Sequence, residues 1–359
     1  MKKTFLSIAL LLAAGTPSAM AQVSRINPIP QQCSQQGELF DLPAQWRVVC
    51  SKALESSIAR QALNLISVKE DAKAPFTVTL ALANEKAGRK AGKPLAKKAE
   101  AYSLQVSEKG ITIVGSDERG LYYGVRSLID MSGAGRLQVT NITDWPDVAW
   151  RGVVEGFYGT PWSHSARLSQ LDFYGKHKMN VYIYGPKDDP YHRDHWRDPY
   201  PEAEGRLISE LAEHARRQGV NFYWAIHPGV DIKWTTQDRD ALVHKLELMY
   251  DLGVRAFAVF FDDIWGEGTK ADKQAELLNY VDDNFISKKP DVVPLVFCPT
   301  EYNRAWANDQ KGYLRTLGST LHKSIEVMWT GNSVVHCIDK ESMDWINERI
   351  QRRGYIWWN

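Results

Sequence analysis

Excess charge of one sign is missing from this sequence. Across 359 residues, 44 lysines and arginines face 43 aspartates and glutamates, a formal net charge of +1. That balance argues against nucleic acid as the main partner, because phosphate backbones select basic surfaces. Cysteine is scarce as well. The four present, Cys33, Cys50, Cys298 and Cys337, include no Cys-x-x-Cys spacing, which removes the usual zinc framework. Cys298 lies in an apolar run and Cys337 follows His336, and both read as ordinary buried thiols. A phosphate-cradling glycine loop is lacking after the first strand of the second half, which counts against a doubly wound dinucleotide fold.

What is present, 44% hydrophobic and 11% aromatic residues, describes a soluble globular chain large enough for two domains. The opening "MKKTFLSIALLLAAGTPSAMAQ" joins Lys2 and Lys3 to an apolar run and the small-x-small triplet Ala19-Met20-Ala21. This is the pattern of a cleavable secretion signal over residues 1–21, and it predicts a periplasmic or secreted protein. No cysteine follows the cut, so no lipid attachment is expected. In an oxidising compartment Cys33 and Cys50 are candidates for a disulfide, and the sequence leaves open whether they pair.

Residues 22–147 read as a small α+β domain. "FTVTLAL" and "YSLQVSEKGITIVG" alternate apolar and polar residues as antiparallel hairpin strands do, with Glu108, Lys109 and Gly110 as a turn. "RGLYYGVRSLIDM" places Leu121, Val125, Leu128 and Ile129 on one helical face. The lysine-rich "EKAGRKAGKPLAKKA" reads as a solvated loop, with contact to an anionic polysaccharide as the other reading. "ITDWPDVAW" looks like the junction.

From residue 148 the rhythm changes to short apolar strands separated by amphipathic helices. Seven strands are expected, in "GVVEGFYG", "NVYIYG", "NFYWAIHPG", "AFAVFFDD", "PLVFCPT", "IEVMWTG" and "YIWWN". One intervening helix should bury Leu207, Leu211 and Ala215, and the next Leu242, Leu246 and Met249. Such alternation over residues 148–359 predicts a (β/α)8 TIM-type barrel that ends at its seventh strand, with the remaining helices and the eighth strand expected beyond Asn359.

Active sites of such barrels gather at the C-terminal strand ends. There the sequence puts Glu155-Gly156-Phe157-Tyr158, Lys187-Asp188-Asp189, Asp262-Asp263, Glu301-Tyr302-Asn303, Thr330-Gly331-Asn332 and Trp357-Trp358-Asn359. Carboxylates, amides and aromatics at one rim suit a sugar, whose ring faces pack on aromatics while its hydroxyls need convergent polar groups. Three Asp-Asp pairs allow a comparison. Asp282-Asp283 falls in a helical pattern and reads as a solvated face, and Asp188-Asp189 precedes Pro190 as a turn start. Asp262-Asp263 alone ends a buried strand, where carboxylates are costly unless paired, and it is the catalytic candidate. "YHRDHWRD" reads as a surface loop rather than a metal site at His192 and His195, and His227 as a satisfied histidine near the rim.

Taken together, "RGVVEGFYGTPWS", "NVYIYGPKDDPYHRDHWRDPYP", "FAVFFDDI", "FCPTEY" and "YIWWN" resemble glycoside hydrolase family 84, the bacterial O-GlcNAcase-like β-N-acetylglucosaminidases. The resemblance covers nearly all of the chain after the signal, and the region before residue 148 is similar to the small α+β domain that precedes the barrel in this family and in related hexosaminidases. It implies retaining, substrate-assisted hydrolysis: the substrate's 2-acetamido oxygen attacks the anomeric carbon and gives an oxazoline. On that reading Asp262 holds the acetamido N–H, Asp263 is the acid and then the base, and Tyr302 bonds the acetamido oxygen. Adjacent acids at a strand end would then splay around one sugar and divide into a proton donor and a carboxylate. Gly156, Lys187 and Asn359 match sugar contacts, while Tyr158, Cys298, Thr330 and Trp357 match the acetamide pocket wall. The family's further sugar-binding Asp and Asn would lie beyond Asn359. The implied partners are N-acetylglucosamine-bearing glycans or glycoproteins, without cofactor, metal, nucleic acid or membrane; the oligomeric state stays open. A hyaluronidase-like hydrolase and a non-catalytic carbohydrate-binding fragment are the alternatives.

Overall fold

A computed structural model describes residues 25–95, 98–352 and 356–357, the last two by their backbone. The expected secretion signal lies outside the described residues. Two compact units divide between Ala149 and Trp150.

The first unit is built on a seven-stranded mixed sheet. Its strands are β1 (Gln32–Asp41), β2 (Gln45–Val49), β3 (Lys69–Glu70), β4 (Thr77–Leu82), β5 (Tyr102–Ser107), β6 (Gly110–Gly115) and β7 (Arg136–Asp144), in the order β1-β7-β5-β6-β4-β2-β3. β5 and β6 form the antiparallel hairpin expected around Glu108 and Lys109, with Ser107 opposite Gly110. β4 runs parallel to β6 instead of joining that hairpin. The connection over residues 83–101 lets β5 land one strand away, and the hairpin then brings β6 back between them.

Two helices accompany the sheet, α1 (Ile58–Ala62) and α2 (Glu118–Ser132). Asp117 caps α2 by accepting from the Gly120 N–H at 2.8 Å. Leu121, Val125 and Leu128 are buried and Ile129 is partly buried, as their spacing predicts. Side chains at Gly120 and Gly124 would collide with the Ala101 carbonyl and Ile113, so these glycines let α2 lie tight on the sheet. Within the lysine-rich stretch Lys86, Arg89 and Lys90 are exposed, as a solvated loop requires. The stretch is nevertheless anchored, because Leu95 is fully buried and the Lys98 ammonium sits 2.9 Å over the Trp145 ring. Cys33 and Cys50 carry free thiols. They belong to β1 and the end of β2, with β7, β5, β6 and β4 between those strands, which at about 4.8 Å per strand puts them far outside disulfide reach.

In the second unit all seven expected strands form: β8 (Gly152–Glu155), β9 (Val181–Tyr184), β10 (Asn221–Ile226), β11 (Ala256–Phe260), β12 (Val296–Cys298), β13 (Glu326–Trp329) and β14 (Ile356–Trp357). Each pairs in parallel with the next in chain order, giving an α/β fold whose curled parallel sheet is half of a barrel wall. A doubly wound sheet would reverse its order at a switch point, and this one does not. Between the strands run α3 (His164–Lys176), α4 (Glu202–Arg217), α5 (Thr236–Asp251), α6 (Ala271–Asn284), α7 (Tyr313–Thr320) and α8 (Lys340–Ile350).

Strand residues alternate between two cores. Phe222, Trp224 and Ile226 join the helix-packed cluster, whereas Tyr223 and Ala225 join Ala256, Ala258, Phe260, Val296, Cys298 and Met328 on the other face. Burial on both faces explains why these strands read as unbroken apolar runs. In α5, Leu242, Leu246 and Met249 are buried as expected. In α4 the buried stripe is Ile208, Leu211, Ala212 and Ala215, and Leu207 is exposed one position off that face. Asp282 also departs from expectation: it is buried on α6, accepting from Ser324 Oγ at 2.6 Å and lying 3.2 Å from His322 Nδ1, while Asp283 is exposed. Cys337, expected to be buried, is exposed.

Candidate active site

β11 delivers the adjacent acids. After its last residue the Phe261 N–H still donates to the Cys298 carbonyl at 3.0 Å, which carries the chain one step further beside β12. Then it turns: Asp263 has φ +53, in the left-handed region, a conformation that costs most side chains about 1 kcal/mol and suits aspartate better than most. The turn separates the environments of the neighbours. Asp262 is buried at 5% exposure, whereas Asp263 is exposed.

At Asp262, Oδ2 lies 3.6 Å from the Lys187 ammonium and Oδ1 lies 3.6 Å from His227 Nε2. Oδ1 has no hydrogen-bond partner among the described residues, which is uncommon for a buried carboxylate oxygen. At Asp263, the Tyr158 hydroxyl approaches Oδ2 at 3.3 Å and the Tyr302 hydroxyl approaches Oδ1 at 3.4 Å. Burial first, and then the charges of Asp263 and Asp262, push the Tyr302 phenol above its ordinary pKa, which keeps it a hydroxyl donor. Lys187 also stands 5.2 Å over the Tyr158 ring.

The remaining rim residues differ in what they offer. Cys298 lies on the same face as Tyr302, fully buried, and burial followed by the charge of Asp262 raises its thiol well above the usual range. It is therefore an inert wall rather than a nucleophile. Thr330 is buried with its hydroxyl committed to the Ser333 carbonyl at 2.7 Å, and its N–H donates to the Tyr302 carbonyl at 3.0 Å. Gly156 follows the β8 end, where the Glu155 carbonyl accepts from the Gly185 N–H at 3.0 Å. For Trp357 only the backbone is described, paired with Trp329, and Asn359 lies outside the described residues.

Glu155, at the same rim, is closed to chemistry. Arg167 donates to it twice, at 2.9 and 2.8 Å, the Trp162 N–H donates at 3.0 Å, and the Tyr182 hydroxyl adds a short bond. At 1% exposure it is a saturated buried ion pair. Glu155→Ala, which strands the Arg167 charge, is expected to cost about 3–5 kcal/mol, read as a lower urea midpoint. Asp189 is likewise committed, accepting from the Tyr184 and Tyr200 hydroxyls at 2.8 and 2.6 Å and from the Tyr191 N–H at 2.9 Å, which starts the 3-10 turn Pro190–His192.

Residues 151–359 match the family described as beta-N-acetylglucosaminidase. The chain belongs to that family, glycoside hydrolase family 84. Residues 23–145 of this family 84 chain match the model of domain 2 of glycosyl hydrolase family 20. Over 238 residues it is 35% identical to Protein O-GlcNAcase of Mus musculus, covering 64% of this chain and 26% of the mouse protein. Among solved structures, CpGH84B superposes with a TM-score of 0.85 at 36% identity, over 92% of this chain and 61% of that one. CpGH84D gives 0.84 at 26% identity, over 92% and 60%. The chain thus spans about a quarter of the mouse relative and about three fifths of either solved chain.

Other contacts near this end of the sheet are not legible in the sequence pattern. Trp306, half exposed, packs edge-on against Tyr302 at 5.0 Å and also lines a cavity of about 720 Å³ with Thr300, Glu301 and Tyr313. Its main-chain N–H donates to Asn303 Oδ1 at 3.1 Å. His192, expected on a surface loop, is buried at 1% exposure with Nε2 on the Pro186 carbonyl at 2.9 Å; His195 is exposed and pairs with Asp198 at 3.5 Å. His227 is buried and only half satisfied, with Nε2 engaged and Nδ1 without a partner among the described residues. Among the described residues no group of three or more His, Cys, Asp or Glu is arranged to hold a metal ion.

Proposed function

We propose that the protein is an exported retaining β-N-acetylglucosaminidase that removes terminal N-acetylglucosamine, including O-linked residues on proteins, by substrate-assisted catalysis. The observation that carries this reading is the division of the two neighbouring acids. Asp262 is buried with an unpartnered Oδ1, suited to accept the acetamido N–H, while Asp263 is exposed and touched by two phenol hydroxyls. Saturation of Glu155 supports a nucleophile that comes from the substrate.

In the first step the acetamido oxygen forms a bond to the anomeric carbon as the glycosidic bond breaks, and Asp263 gives its proton to the departing oxygen. Asp262 accepts the acetamido N–H and stabilises the positive charge spreading over the oxazoline ring, while the Tyr302 hydroxyl bonds the acetamido oxygen. In the second step Asp263 takes a proton from water, whose oxygen attacks the anomeric carbon and reopens the ring with net retention. The exported enzyme would meet its substrate as glycans or glycoproteins outside the cytoplasm. The test is hydrolysis of para-nitrophenyl N-acetyl-β-glucosaminide by the full-length protein, followed by proton NMR. The β-anomer should appear first and a thiazoline mimic of the intermediate should inhibit; no turnover, or the α-anomer first, overturns the proposal.

A further inference from the structure

Two buried histidines lie behind the acids, and neither has a role in the chemistry above. The His227 ring, 2% exposed at the end of β10, places Nε2 2.7 Å from the main-chain carbonyl of Asp262. A carbonyl only accepts, so Nε2 carries the hydrogen. The His227 main-chain N–H donates to the His192 carbonyl at 2.7 Å, and the His192 ring reaches the Pro186 carbonyl at 2.9 Å. Three hydrogen bonds therefore run from the residue before Lys187, through both histidines, to the peptide that joins Asp262 to Asp263.

That peptide is the critical one. It carries the carbonyl of Asp262 and the N–H of Asp263, so its orientation bears on both side chains, Asp262 buried and Asp263, at φ +53, turned toward Tyr158 and Tyr302. Side-chain bonds to Asp263 at 3.3 and 3.4 Å are too long to fix it alone. Burial lowers the His227 pKa below the ordinary histidine value, although neighbouring Asp262 works the other way, and Nδ1 is buried with no hydrogen-bond acceptor beside it among the described residues, which fits a ring carrying its hydrogen on Nε2 alone.

Resting on the assignment of the two acids above, we propose that His227 is a positioning residue whose Nε2–H clamps the Asp262 carbonyl and so sets the geometry of both carboxylates. The clamp transfers no proton. Misplacing a catalytic group by about 1 Å costs on the order of a hundredfold in rate. His227→Phe keeps a planar aromatic ring, somewhat larger, and removes the donor, and kcat on the aryl glycoside is expected to fall about 30- to 100-fold with KM within about threefold. His227→Gln places an amide N–H near the lost Nε2 and is expected to recover to within about fivefold of wild type. Both limbs of the pH–rate profile should survive in every variant, because the ring does not titrate as the acid or base.

Full activity in His227→Phe, equal losses in the Gln and Phe variants, or disappearance of a limb with the ring would each overturn the clamp. Should His227→Phe not fold, the Gln and Asn variants decide: both are polar, but only Gln is long enough to reach the carbonyl, and equal activities refute the proposal. Wild-type turnover is the control. Its absence removes the assignment of the acids, whereas an active wild type with an indifferent His227 removes the clamp alone.

Discussion

Asp263→Ala is expected to lower kcat/KM on an alkyl N-acetyl-β-glucosaminide by about a thousandfold, and on a dinitrophenyl glycoside by no more than about tenfold in the first step, since general acid catalysis contributes on the order of 10²–10⁴ only where the leaving group needs a proton. On the proposed assignment Asp263 gives this proton. It is exposed where a departing oxygen can reach it, while Asp262 is enclosed beside Lys187 and His227. A plot of log kcat/KM against leaving-group pKa should be shallow for wild type and steep for the variant. Added azide should speed the variant on the activated substrate, because a small anion can attack the oxazoline without a general base. Parallel plots for the two proteins would remove Asp263 from the acid role.

Much of this site was legible because strand ends and polar residues coincide. Seven apolar segments predict seven parallel strands, and the last residue of β11 is followed within three positions by both acids. Burial on both faces makes such strands continuous and easily seen. The first unit was less readable for the opposite reason: β1 is exposed along most of its length, and β7 interrupts its apolar residues with Asn141 and Thr143, so neither shows a clean alternation. β4 was visible as a strand but not its partner, since parallel pairing depends on where a long connection lands. Glu155 and Asp263 look equivalent as acids at strand ends, and only the approach of Arg167, Trp162 and Tyr182 distinguishes a closed carboxylate from an available one. The histidine clamp was hidden for a related reason. His192, His227 and Asp262 lie far apart in sequence, and the bonds that join the histidines to the loops end on carbonyls, which leave no trace in residue type.

The second large effect separates Asp262 from its neighbour. Asp262→Ala is expected to reduce kcat by about a hundred- to a thousandfold for every leaving group, dinitrophenyl included, because the lost interaction stabilises the charge on the ring-closing acetamide in the first transition state. Azide should bring no recovery, since the defect precedes the intermediate. Stability should move independently. Asp262 is a buried carboxylate whose Oδ1 is unpartnered and whose nearest cation, Lys187, stands 3.6 Å away and partly in solvent. Asp262→Asn removes that buried charge but leaves the main-chain carbonyl and its bond from His227 untouched. Its melting temperature is expected to equal or exceed that of wild type, while its activity falls like that of the alanine variant. Such a result would mean that the fold tolerates a poorly satisfied carboxylate for what it does to the substrate. A loss confined to poor leaving groups, or a melting temperature that falls in step with activity, would return Asp262 to a structural role and with it the division of labour between the two acids.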